Sequence, residues 1–390
     1  MSVPKGGHWI DRSRELADWI GRARGEPCVA VDTEFMRERT YWPRLCLVQL
    51  ATSREAVVVD ALAPGLDLGP LLELMADERV LKVFHAARQD LEIFHRLMGG
   101  RLPSPVFDTQ IAAMVVGLGD AVSYESLVAR LLGRKLEKGA RVTDWSRRPL
   151  SEAQIRYALA DVVHLRDVYD RLCERIRALG RESWMAEELA QLLDPARYRA
   201  LPEEAWQRLK LRSKDRRYLG LVRELAAWRE RRAQQRDVPR GHVLRDDLLL
   251  ELASVRPQDA SALRALDRIR LDPEAMREVL ALIRKVMALP EDALPDPPPE
   301  PVRDGGPLVD LLKVLLKHCA REHRVAARLI ATGEDLERIA QEPEPDVPAL
   351  RGWRRTLFGD QALALKRGEI ALALEGGRLV LLPRGSPKAA

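Results

Sequence analysis

Long apolar runs are absent from this chain of 390 residues. None approaches the roughly 18 consecutive apolar residues that a membrane-spanning helix needs, so no membrane association is expected. The opening stretch, MSVPKGGHWIDRSREL, lacks the apolar core of a signal peptide. Cysteine is scarce and scattered: Cys28, Cys46, Cys173 and Cys319 form no CxxC pair. That excludes the usual zinc spacings and fits a reducing cytoplasm, the expected location. No GxxxxGK[ST] loop occurs, so a nucleotide-driven helicase has no phosphate cradle here.

What is present is a globular composition, 46% hydrophobic and 32% charged, in a chain long enough for two or three domains. The first 180 or so residues read as α/β. Strands are expected at Cys28–Glu34, Arg44–Ala51, Glu55–Asp60 and Arg79–Phe84, each short, Val/Leu-rich and bounded by turn signals. The first three follow closely, as antiparallel hairpins would. Helices are expected from near Ala87, at Thr109–Gly117 and Tyr124–Leu132, and from Ser151, where Ser151 and Gln154 have capping-box spacing. A mixed sheet flanked by helices is the economical architecture. From Leu201 onward the pattern is helical. The stretch EDALPDPPPEPVRDGGP (291–307) reads as a linker. The expected division is 1–200, an α/β domain; 205–290, a helical block; 291–307, the linker; and 308–385, a second helical block ending in a short hairpin around Gly376–Gly377.

The net charge is +5, but between Ala205 and Arg245 thirteen Lys or Arg face four Asp or Glu, a surplus of nine. The basic charge is therefore concentrated mid-chain. A solvated helical face is one reading and a phosphate-binding surface the other. With aromatics at only 5% of residues, base stacking could not be the main mode of such a surface.

The stretch CVAVDTEFM raises the sharpest question. Asp is a poor strand former, and burying two carboxylates is costly without a cation. Asp32 and Glu34, two residues apart on a strand, share a face, which is a geometry for a hard cation such as Mg²⁺ or Mn²⁺. One D-x-E pair among 59 acidic residues proves little alone. A second candidate, Asp90 in VFHAARQDLEIF, falls in the first turns of a helix. A third, Asp161 in SEAQIRYALADVVHL, lies four residues after Tyr157 on the same helical face. His85 precedes Asp90 and reads as structural or supporting. Asp108 reads as the cap of the helix starting at Thr109. Trp145, Arg148, Tyr41 and Trp42 are open between packing and RNA contact.

In order and spacing, Asp32–Glu34, HAARQDLEIF and TDWSRRPLSEAQIRYALADVVHL resemble the three exonuclease motifs of the DEDD superfamily. Tyr157 four before the last Asp marks its tyrosine subgroup, since Arg156 stands where the other subgroup has His. TYWPRLCLVQLA and DWSRRPLS make the chain look most like the bacterial ribonuclease D family over residues 8–200. LAAWRERRAQQRDVPRGHVLRDDLLLELAS resembles an HRDC module, and the second helical block resembles another more loosely.

The resemblance implies a ribonuclease H-like exonuclease fold followed by two HRDC-like domains. It implies a 3′→5′ exoribonuclease in which Asp32, Glu34, Asp90 and Asp161 hold two divalent cations, Mg²⁺ or Mn²⁺, and Tyr157 orients the attacking water. The implied partner is RNA with a single-stranded 3′ end, such as a tRNA precursor, bound by a monomer. In that reading Lys210, Arg212, Lys214, Arg216, Arg217, Arg231 and Arg232 hold phosphates. Two other readings stay open: a DNA exonuclease carrying the same motifs, and a non-catalytic RNA-binding scaffold, which the intact acid set disfavours.

Overall fold

The computed structural model describes residues 8–136, 143–266, 268–297 and 306–384. Positions 298–305 of the expected linker and residue 385 of the last block lie outside the described residues. No described helix is long and apolar enough to cross a membrane.

The strand sequence CVAV is hydrophobic at every position, as a strand covered on both faces must be. It opens β2 (Cys28–Met36), which lies inside a six-stranded mixed sheet of order β1-β4-β3-β2-β5-β6. The others are β1 (His8–Ile10), β3 (Arg44–Ala51), β4 (Ala56–Asp60), β5 (Leu81–Phe84) and β6 (Val106–Asp108). The expected hairpins are present: β2 with β3 and β3 with β4 are antiparallel. The β1–β4, β2–β5 and β5–β6 pairs are parallel. β1 and β6, three residues each, went unforeseen because so short a segment shows no periodicity.

Alternation along β2 divides the core. Val29 and Val31 join one apolar cluster, under α1 (Ser13–Ala23), α2 (Gly69–Ala76) and α3 (Arg88–Leu97). Cys28 and Ala30 join the other, under α4 (Thr109–Val115), α5 (Tyr124–Leu132), α6 (Glu152–Val163) and α7 (Leu165–Ala178). The helix expected from Ser151 starts with the anticipated capping box between Ser151 and Gln154, and a break at His164 divides α6 from α7.

Beyond α8 (Glu182–Leu192) the chain is helical. α9 (Arg216–Arg236), α10 (Arg240–Val243), α11 (Asp246–Val255), α12 (Ala260–Arg264) and α13 (Pro273–Ala288) surround a third core. α14 (Gly306–Glu322), α15 (Ala327–Ile330), α16 (Gly333–Gln341), α17 (Gly352–Arg354) and α18 (Asp360–Lys366) surround a fourth, closed by the hairpin of β7 (Ile370–Glu375) and β8 (Arg378–Pro383).

Both helical blocks dock on the α/β unit. For the first, the Tyr41 hydroxyl donates to Glu230, Gln234 donates to Tyr41 (3.1 Å), and the Trp42 amide donates to Asp237 (3.0 Å). For the second, Arg181 donates to the carbonyls of Val115 (2.6 Å), Arg324 (2.8 Å) and His323. One guanidinium thus serves the C-terminal ends of both α4 and α14, where unpaired carbonyls favour a cation. The approach is close: at Gly117, with φ of +75°, a β-carbon would fall 2.2 Å from the Arg324 carbonyl oxygen. Trp184 stacks on Trp353 with centroids 4.4 Å apart, and Arg354 pairs with Glu188 inside the same contact.

Candidate active site

Asp32 and Glu34 continue the face on which Cys28 and Ala30 are buried, and α6 packs across that face. Tyr157 and Asp161, one turn apart on α6, are carried to the same place. Ligand oxygens of Asp32, Glu34 and Asp161 lie within 4.8 Å of one another.

Asp90 arrives from the opposite side. Thr33 faces the α1–α3 layer, as Val29 and Val31 do, and its hydroxyl donates to the Asp90 carboxylate at 2.5 Å. The topology makes room for this. β5 pairs with β2 only as far as Ala30↔Val83, so Asp32, Thr33 and Glu34 are paired on the β3 side alone, with Gln49, Val48 and Leu47. The start of α3 fills the vacated edge. Asp108 fixes it there: it caps α4 through the amides of Gln110 and Ile111, as expected, and also accepts from the amides of Ala86 and Ala87 at the entry to α3.

Crowding these acids together shows in their titration. Burial first, then the charges of Asp90, Asp161 and Glu34, push the Asp32 carboxyl well above the usual range. Burial and the charges of Asp161 and Asp90 push Glu34 up to about 8. Burial pushes Asp90 up to about 7 against the pull of the Thr33 hydrogen bond. Burial, the neighbouring carboxylates and a hydrogen bond with Asp161 raise the Tyr157 phenol. Among the described residues no basic side chain forms an ion pair with Asp32, Glu34 or Asp90. Gln49, wholly buried and directly opposite Asp32, has no partner for either amide atom among the described residues. An all-oxygen set in which Asp32, Glu34 and Asp90 are raised in pKa and, among the described residues, form no ion pair fits hard divalent cations, which would neutralise carboxylates otherwise too costly to bury.

The surrounding residues are engaged within the fold. His85 sits behind the acids, its Nδ1 3.0 Å from the Thr109 hydroxyl and its ring tilted against Tyr124; burial lowers its pKa. It braces α4 and α5. Trp145 is 3% exposed and packs near the Tyr157 ring. Arg148 donates to Asp60 (2.8 Å from Nε) and to the Cys46 carbonyl (3.1 Å). Both residues serve packing.

Residues 7–177 match the family of 3′-5′ exonuclease domains, and residues 219–271 match the HRDC domain family. A ribonuclease D from Gluconacetobacter diazotrophicus is 53% identical over 96% of each chain, and one from Granulibacter bethesdensis is 50% identical over the same shares. The chain belongs to the ribonuclease D family. The crystal structure of Escherichia coli RNase D, described as an exoribonuclease involved in structured RNA processing, superposes with a TM-score of 0.78. It is 30% identical and covers 92% of this chain and 99% of its own. A ribonuclease D of this kind is a 3′→5′ exoribonuclease, and exonucleases with this acid set depend on divalent metal.

The basic mid-chain run is largely consumed by the ribonuclease D fold itself. Arg217 donates to the carbonyls of Val286 (3.2 Å), Met287 (3.0 Å) and Leu289 (3.0 Å), which terminate α13. Arg216 donates to the Leu294 carbonyl at 2.8 Å. Arg232, 8% exposed, meets Asp272, Glu274 and Glu278. Arg229, 1% exposed, meets Asp246 and the Leu244 carbonyl. Arg231 pairs with Glu203 at the surface. Arg216, Arg217 and Arg232, expected to hold phosphates, are thus engaged within the helical block itself. The acids that neutralise them lie outside the 205–245 window, so a surplus along the chain is not a surplus in space. Lys210, Arg212 and Lys214 are exposed.

Sequence reasoning missed Thr33 and Gln49. Thr33 was legible in principle: a residue between two same-face strand acids points to the other face, toward whatever packs there.

Proposed function

We propose that Asp32, Glu34, Asp90 and Asp161 together hold two divalent cations, Mg²⁺ or Mn²⁺, and that Tyr157 orients the water that hydrolyses the terminal phosphodiester. Such ions supply charge neutralisation for phosphoryl transfer and lower the pKa of water. The observation carrying the reading is the convergence of ligand oxygens of Asp32, Glu34 and Asp161 within 4.8 Å. A phenol is protonated at neutral pH, and burial raises the Tyr157 pKa further. With its one O–H given to Asp161, it meets the water as a hydrogen-bond acceptor and not as the base. Asp161 anchors the phenol, and Thr33 holds Asp90. Water oxygen bonds to the terminal phosphorus, the bond to the penultimate 3′ oxygen breaks, and that oxygen takes up a proton. A nucleoside 5′-monophosphate leaves.

The substrate in this reading is RNA with a single-stranded 3′ end, tRNA precursors among them, bound by a monomer in the cytoplasm. The chain divides into the exonuclease domain (1–200), an HRDC domain (205–290), the linker (291–307) and a second HRDC-like domain (308–385). Cleavage of matched RNA and DNA oligomers carrying a folded body and a 3′ overhang tests it. RNA should be shortened to 5′-monophosphates in Mg²⁺ or Mn²⁺, and Asp161→Asn should abolish this. Equal cutting by Asp161→Asn would remove the proposed site.

A further inference from the structure

A cavity of about 470 Å³ lies between the exonuclease domain and the first helical block. Arg37, Arg88, Arg197, Arg199, Arg208 and Arg240 line it, and Glu92 is the sole acid in that lining. These arginines come from separate parts of the chain, and all are exposed. Glu92 is already paired with Arg37. Among the described residues, Arg88, Arg197, Arg199 and Arg208 form no ion pair. Arg37 pairs with Glu92 and Arg240 with Glu230, which leaves four unmatched cations around one cavity. Converging like charges raise the local potential and call for an anion.

The walls suit a nucleic-acid strand. Tyr41, Trp42 and Tyr198 line the same space. Their rings are held in place: the Tyr41 hydroxyl by Glu230, the Tyr198 hydroxyl by the Leu192 carbonyl at 2.6 Å, and Trp42 by Arg96, 4.2 Å above its ring. Cations interleaved with fixed aromatics are the usual lining of a single-strand groove. A neighbouring cavity shares Arg208, Arg240 and Gly241, but there Arg229 and Arg245 are paired with Asp246 and Asp247, so the unmatched charge is confined to the seam. Two of the lining residues are close in sequence to the acids. Arg37 is three residues beyond Glu34 and Arg88 two before Asp90, which places their Cα atoms within about 11 Å and 8 Å of those ligands.

We infer that this seam grips the sugar–phosphate backbone of single-stranded RNA just upstream of its 3′ end. The direction of the strand rests on the proposed cleavage site; the binding does not. The seam, and not the face of α9, is where the helical block adds affinity.

The test is anisotropy of a 5′-fluorescein-labelled 12-nucleotide oligoadenylate titrated with full-length protein in EDTA, between 50 and 300 mM salt. Arg199→Ala/Arg208→Ala should raise Kd about tenfold or more. It should also flatten the log Kd against log salt slope by about 1.4, the value for two lost single-strand phosphate contacts. Arg199→Lys/Arg208→Lys should stay within about twofold of wild type. Unchanged Kd and slope in the alanine variant would overturn the inference. So would normal RNA binding with lost affinity for a polyglutamate peptide, which would point to an acidic protein partner. Because EDTA leaves only binding, RNA affinity that depends on Arg199 and Arg208 in a protein that cuts nothing would support the seam and fault the cleavage reading alone.

Discussion

Thr33 and Asp90 stand 57 positions apart, and the Thr33 hydroxyl holds the Asp90 carboxylate by a 2.5 Å hydrogen bond. Through it the strand that carries Asp32 and Glu34 on one face also fixes an acid delivered from the other. Thr33→Val keeps the shape of the side chain and removes this donor. Partners that orient metal-ligating carboxylates typically contribute about 10–100-fold in metal affinity or activity. Thr33→Val should therefore shift the Mg²⁺ or Mn²⁺ concentration for half-maximal cleavage upward by about that range. A metal titration of activity checks it; an unchanged midpoint would mean that Asp90 needs no such support.

The acids also set a pH dependence. Asp90 near 7 and Glu34 near 8 are held above their ordinary values of 3.8 and 4.5. A raised acid contributes stability that is present below the unfolded pKa and lost as pH rises through the folded one. Metal-free protein should therefore lose thermal stability between about pH 4 and pH 8. Added Mg²⁺ or Mn²⁺ should raise Tm more at pH 8 than at pH 5, because the ions compete with protons for the same oxygens. Melting curves at both pH values, with and without metal, show the sign directly.

Tyr157 is half-buried, with its ring 6.1 Å from that of Trp145. Tyr157→Phe keeps this packing and removes only the hydroxyl. It should lower kcat by about tenfold to a hundredfold while Tm and RNA affinity hold. Loss of binding in step with kcat would instead assign the ring to substrate contact.

Much of the acid cluster was legible in the sequence, and the reason is local. Asp32 and Glu34 interrupt a hydrophobic strand, and Tyr157 and Asp161 share a helical face, so strand and helix periods alone bring each pair together. The capping box at Ser151 and the Asp108 cap are likewise local chemistry, and both are present. What was not legible depends on long-range pairing. Nothing near Arg232 in sequence announces Asp272, Glu274 and Glu278, nor anything near Arg217 the end of α13. The same limit hid the seam, whose arginines are far apart in the chain.

Arg232 separates the two readings of the basic run. With three carboxylates around it and 8% exposure, Arg232→Ala leaves those acids to repel one another. Tm should fall, while Kd for a single-stranded RNA stays within about twofold. A large drop in affinity with unchanged Tm would restore the phosphate-binding role.

The buried pair at the second block is a stability element. Arg354 and Glu188 are 6% and 7% exposed, and Arg354 offsets the burial that raises the Glu188 carboxyl. Arg354→Met leaves Glu188 buried without its cation, a change that costs about 3–5 kcal/mol. Chemical denaturation of the variant checks this, and Arg354→Met/Glu188→Leu should recover most of the loss.

The most direct test of the account is a gel assay on 5′-labelled and 3′-labelled single-stranded RNA, with and without Mg²⁺ or Mn²⁺, comparing wild type with Asp32→Asn. The account predicts a metal-dependent ladder shortening from the 3′ end in wild type and intact RNA with Asp32→Asn. Shortening that persists without metal, or in Asp32→Asn, would contradict the claim that the gathered carboxylates do the chemistry.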